Sequence, residues 1–520
     1  MTALSELLPS GGGQNEVDFV ASGNLANGVP VVLNSNGTVS VVSSTAQNIP
    51  LGSEVQFGAA ITSVMVGFMP DDNNKFVVVY RIGSTGYCVV GSISGSSISF
   101  ATPVVFQSGN ISAGLTFQMD PNVAGRFVVV YGRNQAGTDR GYARCGQVSG
   151  TGIAISSESF YFSLAGPVKM AMDMDPNSTN GTWALGYISG GGASPGRVYA
   201  RSCRIVSGAP VIGQEIIIYG NTYYGVECAV AFDGKTAGAG IFTFVESAGR
   251  DSYAQMFRGV DGQSWTNTGS YVFYVPQNSS GNGRGHFTQI RGNPAVGGQY
   301  LVVYANEDYQ YGAWNGFARV GTVTNPGQSV ANGASLTWGP EFTFESTQVY
   351  GSVLDKPLSM SMSQTQTGSF LLGFSVGYGN TSFSVREGTI LADKSIIFTA
   401  TDVVSSGSNK YNSVSLPPSG GKFIAAFQDV ANSSNGKAVL GQALDNNVYE
   451  VIGITSAAIT GSATGTVNVF GGVNTQQSSM TVGTEMYAQT NGTISATKTF
   501  PAQRLGRAVT ATTINMKDLT

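Results

Sequence analysis

Charge is scarce in this chain. Asp, Glu, Lys and Arg make up 11% of its 520 residues, compared with about a quarter in an average soluble protein. The net charge is only −4, so nothing in the composition predicts a nucleic-acid partner. No apolar run approaches the roughly 20 residues that a membrane helix requires. We therefore expect a folded protein with a Ser/Thr/Asn/Gly surface, without membrane insertion.

Histidine and cysteine are also rare. His286 is the single histidine, so zinc sites with two or three histidines are excluded and a Ser-His-Asp triad would depend on His286 alone. We interpret it as a solvated loop residue. Cys88, Cys145, Cys203 and Cys228 show no CxxC spacing. The prediction is four free, buried thiols, which leaves the redox compartment open.

Three acidic turns are candidate calcium ligands: "PDDNN" (70–74), "DPN" (120–122) and "DMDPN" (173–177). They lack the alternating carboxylates of a calcium loop, and Asp-Pro-Asn is common in tight turns. We therefore predict no metal site and no cofactor.

Glycine is abundant, with 71 residues, and one strand-like motif recurs. Short, β-branched runs that are apolar on both faces predict strands buried on both sides. The seven copies are "KFVVVY" (75–80), "RFVVVY" (126–131), "TWALGY" (182–187), "AGIFTF" (239–244), "QYLVVY" (299–304), "SFLLGF" (369–374) and "KFIAAF" (422–427).

The copies are 51 to 70 residues apart, and three further strand patterns surround each of them. A repeat of this length without helical periodicity is typical of propeller blades with four strands. The sequence therefore predicts an all-β chain with a seven-bladed β-propeller over residues 51–450.

One outer strand is missing from this count, because only six follow their blades. "GSEVQF" (52–57) matches the outer strand "GPEFTF" (339–344). Propellers commonly use an N-terminal strand to complete the last blade, which hides two sheet edges. We predict that residues 51–57 pair with the strand around 437–444.

The two ends of the chain resemble each other. "GVPVVLNSNGTVS" (28–40) aligns without gaps on "GTEMYAQTNGTIS" (483–495), and each contains the Asn-Gly of a tight hairpin. We predict a docking arm at 1–17, a small hairpin module at 18–50 and a β module at 451–520. Both modules should leave the propeller from neighbouring points.

These ends also carry a family resemblance. "LLPSGGGQN" (7–15), the following segment 17–42, "MTVGTEMYAQTNGTISAT" (480–497) and "GRAVTATTI" (506–514) resemble virion structural proteins of tailed phages, especially those of marine bacteria. The resemblance implies a non-enzymatic component on the exposed surface of head or tail. It would be present in multiple copies and contact other virion proteins through 1–50 and 451–520.

Aromatic residues concentrate in the loops of one predicted rim of the propeller. Exposed tyrosine and tryptophan stack well on sugar rings and partner side chains. We therefore predict a host-surface glycan as ligand and expect the end modules at the opposite rim. The alternative is that these side chains only pack their own loops down. The predicted ligand-binding residues are Tyr223, Tyr224, Tyr309, Tyr311, Trp314 and Tyr350.

Two alternative functions remain open. An architectural capsid decoration protein would use only the end modules. A glycan-degrading propeller enzyme would need carboxylates around the central channel. The predicted innermost strands offer Asp173 and Glu227 for this role, with Lys169 and Arg291 nearby.

Overall fold

The structure is a computed structural model in which every described regular element is a β-strand. Within the residues it describes, no helix is long and apolar enough to cross a membrane. The side chains of a few strand residues, among them His286 and Trp314, are outside the description. The described residues are 15–34, 36–42, 49–135, 137–161, 167–189, 197–219, 225–246, 252–258, 266–274, 285–308, 313–328, 333–346, 349, 358–377, 382–391, 393–419, 421–442, 451–489, 492–496 and 502–516.

The chain divides into two compact units. We call Asn48–Leu444 the repeat unit, and the two ends, Met1–Gln47 and Asp445–Thr520, the terminal unit. The first four strands of the chain are β1 (Glu16–Val20), β2 (Pro30–Leu33), β3 (Val39–Val41) and β4 (Val55–Gly58).

In its described part, the repeat unit contains seven antiparallel sheets, I to VII. Sheet I contains β5 (Ile61–Met69), β6 (Asp72–Ile82), β7 (Thr85–Ser94), β8 (Ser97–Phe100) and β9 (Val104–Gln107); sheet II contains β10 (Ile111–Met119), β11 (Arg126–Gln135), β12 (Thr138–Ser149), β13 (Gly152–Ile155) and β14 (Ser159–Tyr161). Sheet III contains β15 (Pro167–Met174), β16 (Trp183–Ser189), β17 (Val198–Val206) and β18 (Ala209–Tyr219); sheet IV contains β19 (Gly225–Phe232), β20 (Ala239–Glu246), β21 (Ser252–Arg258) and β22 (Thr266–Tyr274).

The remaining sheets of this unit follow the same order. Sheet V contains β23 (Gly285–Gly292), β24 (Gln299–Asp308), β25 (Ala313–Thr324) and β26 (Ser335–Glu345); sheet VI contains β27 (Leu358–Met362), β28 (Ser369–Val376), β29 (Ser382–Ile390), β30 (Ile396–Phe398) and β31 (Asp402–Ser406); sheet VII contains β32 (Asn409–Ser415), β33 (Lys422–Asp429) and β34 (Asn435–Gln442), followed by β4.

Each predicted motif forms the second strand of its sheet. The run Phe76–Tyr80 illustrates why, because each of its five side chains is at most 1% exposed. A strand between two neighbours, with a further sheet on each face, requires apolar side chains on both faces. The outer edge is less regular than predicted: in sheets I, II and VI, two short strands share the third strand as partner.

The strand β4 completes sheet VII, as predicted. It pairs antiparallel with β34, with Val55 opposite Ala438 and Gly58 opposite Gly436. A further bridge joins Leu51 to Gly441. The two places where the chain enters and leaves the repeat unit therefore lie side by side.

Neighbouring sheets share hydrophobic cores. One core combines Val77 of sheet I with Phe117 of sheet II, and another combines Val64 of sheet I with Ile424 of sheet VII. Each sheet thus packs on the next, and the seventh packs on the first.

The described residues of the terminal unit form two five-stranded sheets, here called sheet N and sheet C. Its later strands are β35 (Val451–Thr455), β36 (Thr464–Val469), β37 (Val473–Asn474), β38 (Glu485–Gln489), β39 (Ile494–Ser495), β40 (Ala502–Ala508) and β41 (Ile514–Asn515). Sheet N has the order β1-β36-β35-β2-β3, and sheet C has the order β37-β41-β40-β38-β39.

This arrangement differs from the two separate modules predicted at 18–50 and 451–520. Strands from both ends of the chain form sheet N together, with Glu16 opposite Asn468 and Val31 opposite Gly453. The strands from residues 15–42 are too few to bury a hydrophobic face alone. Of the predicted docking arm at 1–17, residues 1–14 lie outside the described residues.

Candidate functional site

The predicted aromatic rim falls almost entirely outside the described residues. Tyr223, Tyr224, Tyr309, Tyr311 and Tyr350 all belong to undescribed segments. The backbone of Trp314 lies in β25 opposite Glu307, but its side chain is outside the description. The glycan-binding role of these residues stays a prediction.

The strands that flank these segments end at a common side of the repeat unit. The first strands of sheets VII and I run parallel, because Val66 N–H and Phe68 N–H of β5 donate to Ser413 Oγ and Ser415 Oγ of β32, in the same order along both strands. In sheets II to V, the turns that follow the first strands contact one another through Asn122–Asp175, Asn177–Asp233 and Gly298–Asp233 hydrogen bonds. Because neighbouring strands within a sheet are antiparallel, the second strand ends, and the third begins, at the side where the first strand begins. The Leu51–Gly441 bridge lies at the other side, where β34 ends.

Charged side chains are concentrated on three of the first strands, β15, β19 and β23, among the residues described. Lys169 and Asp173 belong to β15, Glu227 to β19 and Arg291 to β23. Asp173 and Glu227 are 8% and 6% exposed. Glu227 acts electrostatically on Lys169, and Arg291 acts on Asp173. The structure thus brings the four residues that sequence reasoning placed on innermost strands together as two oppositely charged pairs.

Both carboxylates bind the backbone of the next sheet. The Phe232 N–H donates to Asp173 Oδ2 at 2.9 Å, and the Thr288 N–H donates to Glu227 Oε2 at 3.1 Å. Serines make the same contact elsewhere: Val66 N–H donates to Ser413 Oγ at 3.0 Å. These carboxylates therefore join one sheet to the next. A buried acceptor without such a donor would lower the stability of the fold.

Burial shifts the pKa values of Asp173 and Lys169. Removal from water raises the pKa of Asp173 to about 6, although Arg291 and the Phe232 N–H act in the opposite direction. Burial likewise lowers the pKa of Lys169, which Glu227 partly offsets. Chemically, the group is able to take up a proton at Asp173 in mildly acidic solution. Among the described residues, no cluster of three or more His, Cys, Asp or Glu side chains is arranged to hold a metal ion.

This shift predicts a pH-dependent effect of Asp173→Asn on stability. In the unfolded chain this carboxyl titrates near pH 3.9. Its raised pKa in the folded protein therefore contributes stability that is fully present below pH 3.9 and is lost as the pH rises through about 6. The variant keeps an acceptor for Phe232 and should be more stable than wild type at pH 7.5, by at most about 3 kcal/mol. At pH 4 the two proteins should be nearly equal.

Urea unfolding followed by tryptophan fluorescence at both pH values measures this difference. Asp71→Asn, at an exposed turn position, is the control and should change neither value. A variant that is less stable than wild type at pH 7.5 would mean that the attraction of Arg291 outweighs the burial of the charge.

The acidic turns have the geometry of ordinary tight turns. The backbone N–H two residues later donates to Asp72 at 2.8 Å, and to Asp120 and Asp175 at 2.9 Å. The second oxygen of Asp175 accepts from Gly238 of the next sheet at 2.8 Å. Gly238 has a φ of 71°, which favours glycine. The Asp175 turn therefore fastens sheet III to sheet IV.

Sequence reasoning missed a Tyr-Arg-Glu group, built on a buried tyrosine, that recurs in three sheets. In sheet III, the Tyr187 hydroxyl donates to Glu215, and Arg201 Nη2 lies 2.8 Å from Glu215 Oε2. A signal existed, because repeats with tyrosine at the end of the second strand mostly carry arginine in the third. The groups are Tyr131-Arg144-Glu158, Tyr187-Arg201-Glu215 and Tyr304-Arg319-Glu341.

The cysteines form no disulfide within the described residues, which include all four of them. Cys88, Cys145 and Cys203 are buried, as predicted, whereas Cys228 is half-buried. Burial raises the pKa of each of the three buried thiols to about 12, so they stay protonated at neutral pH. His286 was interpreted as a loop residue, but its backbone lies in β23 opposite Ala305. Its side chain is outside the description.

No protein-family model matches this chain, and no curated protein matches it. Solved structures similar to it include a functionally unknown protein from Desulfotomaculum acetoxidans, at 13% identity and a TM-score of 0.45, covering 74% of this chain and 98% of that one. An α-L-arabinofuranosidase from Fusarium graminearum has 10% identity and a TM-score of 0.41, with coverages of 77% and 99%. A protein from Lactobacillus plantarum has 10% identity and a TM-score of 0.41, with coverages of 76% and 97%. Similarities this distant carry no argument about function.

Proposed function

We propose that the repeat unit is a seven-bladed β-propeller with four-stranded blades, in which β4 completes the last blade. Sheets I to VII are the blades and their first strands surround the centre. The proposal rests on the parallel first strands and on the packing of sheet VII against sheet I. Ser415 Oγ of sheet VII accepts from Phe68 N–H of sheet I at 3.1 Å. A terminal strand in the last blade is the usual device for holding such a ring together.

We further propose that the protein is a non-enzymatic structural component of a phage particle: a fibre, spike or knob on the exposed surface of head or tail. The observation that carries this proposal is that segments 17–42 and 480–497, which resemble virion proteins, belong to one unit. The connections to that unit leave the propeller side by side, where Gln442 N–H donates to Pro50 O at 2.9 Å. The terminal unit then binds other virion proteins, and multiple copies decorate each particle.

The ligand that we propose is a host-surface glycan. Tyr309, Tyr311 and Trp314 belong to the connection between the second and third strands of sheet V. The strands that it joins, β24 and β25, end and begin at the side of the propeller away from the Leu51–Gly441 bridge. Aromatic rings with a polar edge suit the alternating apolar and hydroxylated faces of sugars. The propeller is therefore held at one side and binds with the other.

Two alternatives make different predictions. A purely architectural decoration protein leaves the aromatic residues without a ligand. A glycan-degrading enzyme needs two carboxyl groups that face each other across a bound sugar. Asp173 and Glu227 instead accept hydrogen bonds from Phe232 and Thr288, and this favours a structural role for them.

The test is adsorption of particles that carry Tyr309→Ala, Tyr311→Ala and Trp314→Ala together. We expect binding to host cells to fall to background while the melting temperature of the purified protein stays unchanged. Trp265→Ala is the matched control, because it removes an aromatic residue from a different connection, the one between the third and fourth strands of sheet IV. Its adsorption should equal that of wild type. Undiminished adsorption of the triple variant would favour the architectural alternative, and release of sugar products would favour the enzyme.

A further inference from the structure

Sheets N and C have the same topology. In each sheet, all pairs are antiparallel. Reading across the sheet, the strands are the first, fifth, fourth, second and third in chain order. For sheet N the chain order is β1, β2, β3, β35, β36, and for sheet C it is β37 to β41. Five strands can be arranged across a sheet in many orders. The same non-sequential order in both sheets is therefore not expected by chance.

The pairing register is also the same. The alignment of 28–40 on 483–495 maps β2 on β38 and β3 on β39, and both central pairings contain a bulge at the same place. The equivalent central pairs are Val31–Gly453 with Met486–Gly506, and Val32–Val451 with Tyr487–Arg504. The equivalent outer pairs are Val32–Ser40 with Tyr487–Ser495, Ile454–Asn468 with Arg507–Asn515, and Glu16–Asn468 with Val473–Asn515.

The turns and the bulge agree in detail. In one hairpin Asn34 N–H donates to Thr38 O, and in the other Gln489 N–H donates to Thr493 O, both at 2.8 Å. At each bulge a glycine lies against a carbonyl. A Cβ on Gly453 would lie 2.2 Å from Asn468 O, and one on Gly506 would lie 2.1 Å from Asn515 O. Glycine is therefore required at both positions for the same reason.

We infer that the terminal unit is a tandem of two copies of one five-stranded module, and that the propeller is an insertion in the first copy. The insertion lies between the third and fourth strands, β3 and β35. In the second copy, residues 496–501 connect the equivalent strands, β39 and β40. The inference holds or fails independently of any role in a phage particle.

The two copies stack with unlike faces in contact. Met486, Leu505 and Ile514 of the second copy share a core with Val32 and Ile454 of the first. In the first copy, the residues equivalent to Met486, Leu505 and Ile514 face a separate core. Leu25 and Ile459, from loops of the same copy, close this core.

The stack ends at the second copy. Its positions equivalent to Val32 and Ile454 are Tyr487 and Arg507, and Arg504 Nη2 there lies 3.1 Å from Glu485 Oε1. Polar outer faces are typical of terminal repeats in stacked arrays.

The insertion is tested on the full-length, folded protein. Protease sites placed within 43–48 and 443–450 are cut, and the cut protein is bound through a tag at its C-terminus and washed in high salt. We expect the N-terminal piece to stay on the resin, because β1 and β2 pair with β36 and β35. Loss of the N-terminal piece while the C-terminal piece remains would overturn the inference.

The equivalence of the copies is tested by placing a small folded domain in the loop 496–501 of the full chain. The equivalent loop of the first copy carries the propeller, so the loop 496–501 should also tolerate an insertion. The rates of amide hydrogen exchange in 473–516 should therefore stay within about twofold of the wild-type rates. The same domain placed between Asn491 and Gly492 should accelerate this exchange by at least tenfold, since it breaks a tight hairpin. Equal acceleration by both insertions would refute the equivalence.

Discussion

Replacing Phe57 by alanine should lower the free energy of unfolding of the repeat unit by about 3 to 5 kcal/mol. Phe57 is the main apolar anchor of β4 and is 7% exposed. Its ring centroid lies 5.2 Å from that of Tyr80 and 5.6 Å from that of Phe100, both in sheet I. The same ring covers Gly436 in β34. Its loss leaves a cavity where sheets VII and I meet, so we expect β4 to detach at a lower denaturant concentration.

The measurement is urea unfolding followed by tryptophan fluorescence. All four tryptophans of the chain are within 48–444, so the signal reports on the repeat unit. Gln56→Ala is the control, since Gln56 is an exposed neighbour on the same strand and its removal should change stability by less than about 0.5 kcal/mol. Identical transitions for Phe57→Ala and Gln56→Ala would show that β4 does not contribute to the stability of the repeat unit.

Adding one methyl group at Gly146 should destabilise the repeat unit by about 3 kcal/mol, the upper end of typical overpacking effects. A Cβ at this position would lie 2.0 Å from Cζ of Phe127, the residue directly opposite on the neighbouring strand. Phe127 is fully buried, so its ring cannot move aside without displacing the core between sheets I and II. Three other sheets repeat this packing, with Gly91 under Phe76, Gly388 under Phe370 and Gly441 under Phe423.

A double-mutant cycle separates this clash from a general effect of losing glycine. Phe127→Leu should remove most of the loss caused by Gly146→Ala, so that the double variant is more stable than the sum of the two single effects predicts. Gly152→Ala, in an open position of the same sheet, should be nearly neutral. Additive losses in the cycle would contradict the proposed clash.

The sequence predicted the repeated part of the fold well, because its signal is local. The second strands are apolar on both faces, and they recur at a spacing that a four-stranded sheet requires. The position of β4 was also predictable, since its sequence matches outer strands elsewhere. The splitting of the outer strand in sheets I, II and VI was not, because edge strands have few contacts that constrain their pattern.

The terminal unit shows what local patterns cannot predict. Glu16 pairs with Asn468, and no periodicity within either segment indicates a partner more than 400 residues away. The similarity of 28–40 and 483–495 was visible in the sequence, but the shared strand order required the pairings. The candidate charged group was identified from its strands, whereas its hydrogen bonds to Phe232 and Thr288 depend on how neighbouring sheets pack.

The pairing of β4 with β34 sets a minimum time for folding during synthesis. Val55 precedes its partner Ala438 by 383 residues. At about 5–20 residues per second, a ribosome needs roughly 20 to 80 s to reach the partner after β4 has been made. Sheets I to VI are complete within consecutive stretches of chain, so they are able to form in order as they emerge. The nascent chain nevertheless exposes the open face of sheet I, which the seventh sheet will cover, until synthesis nears its end.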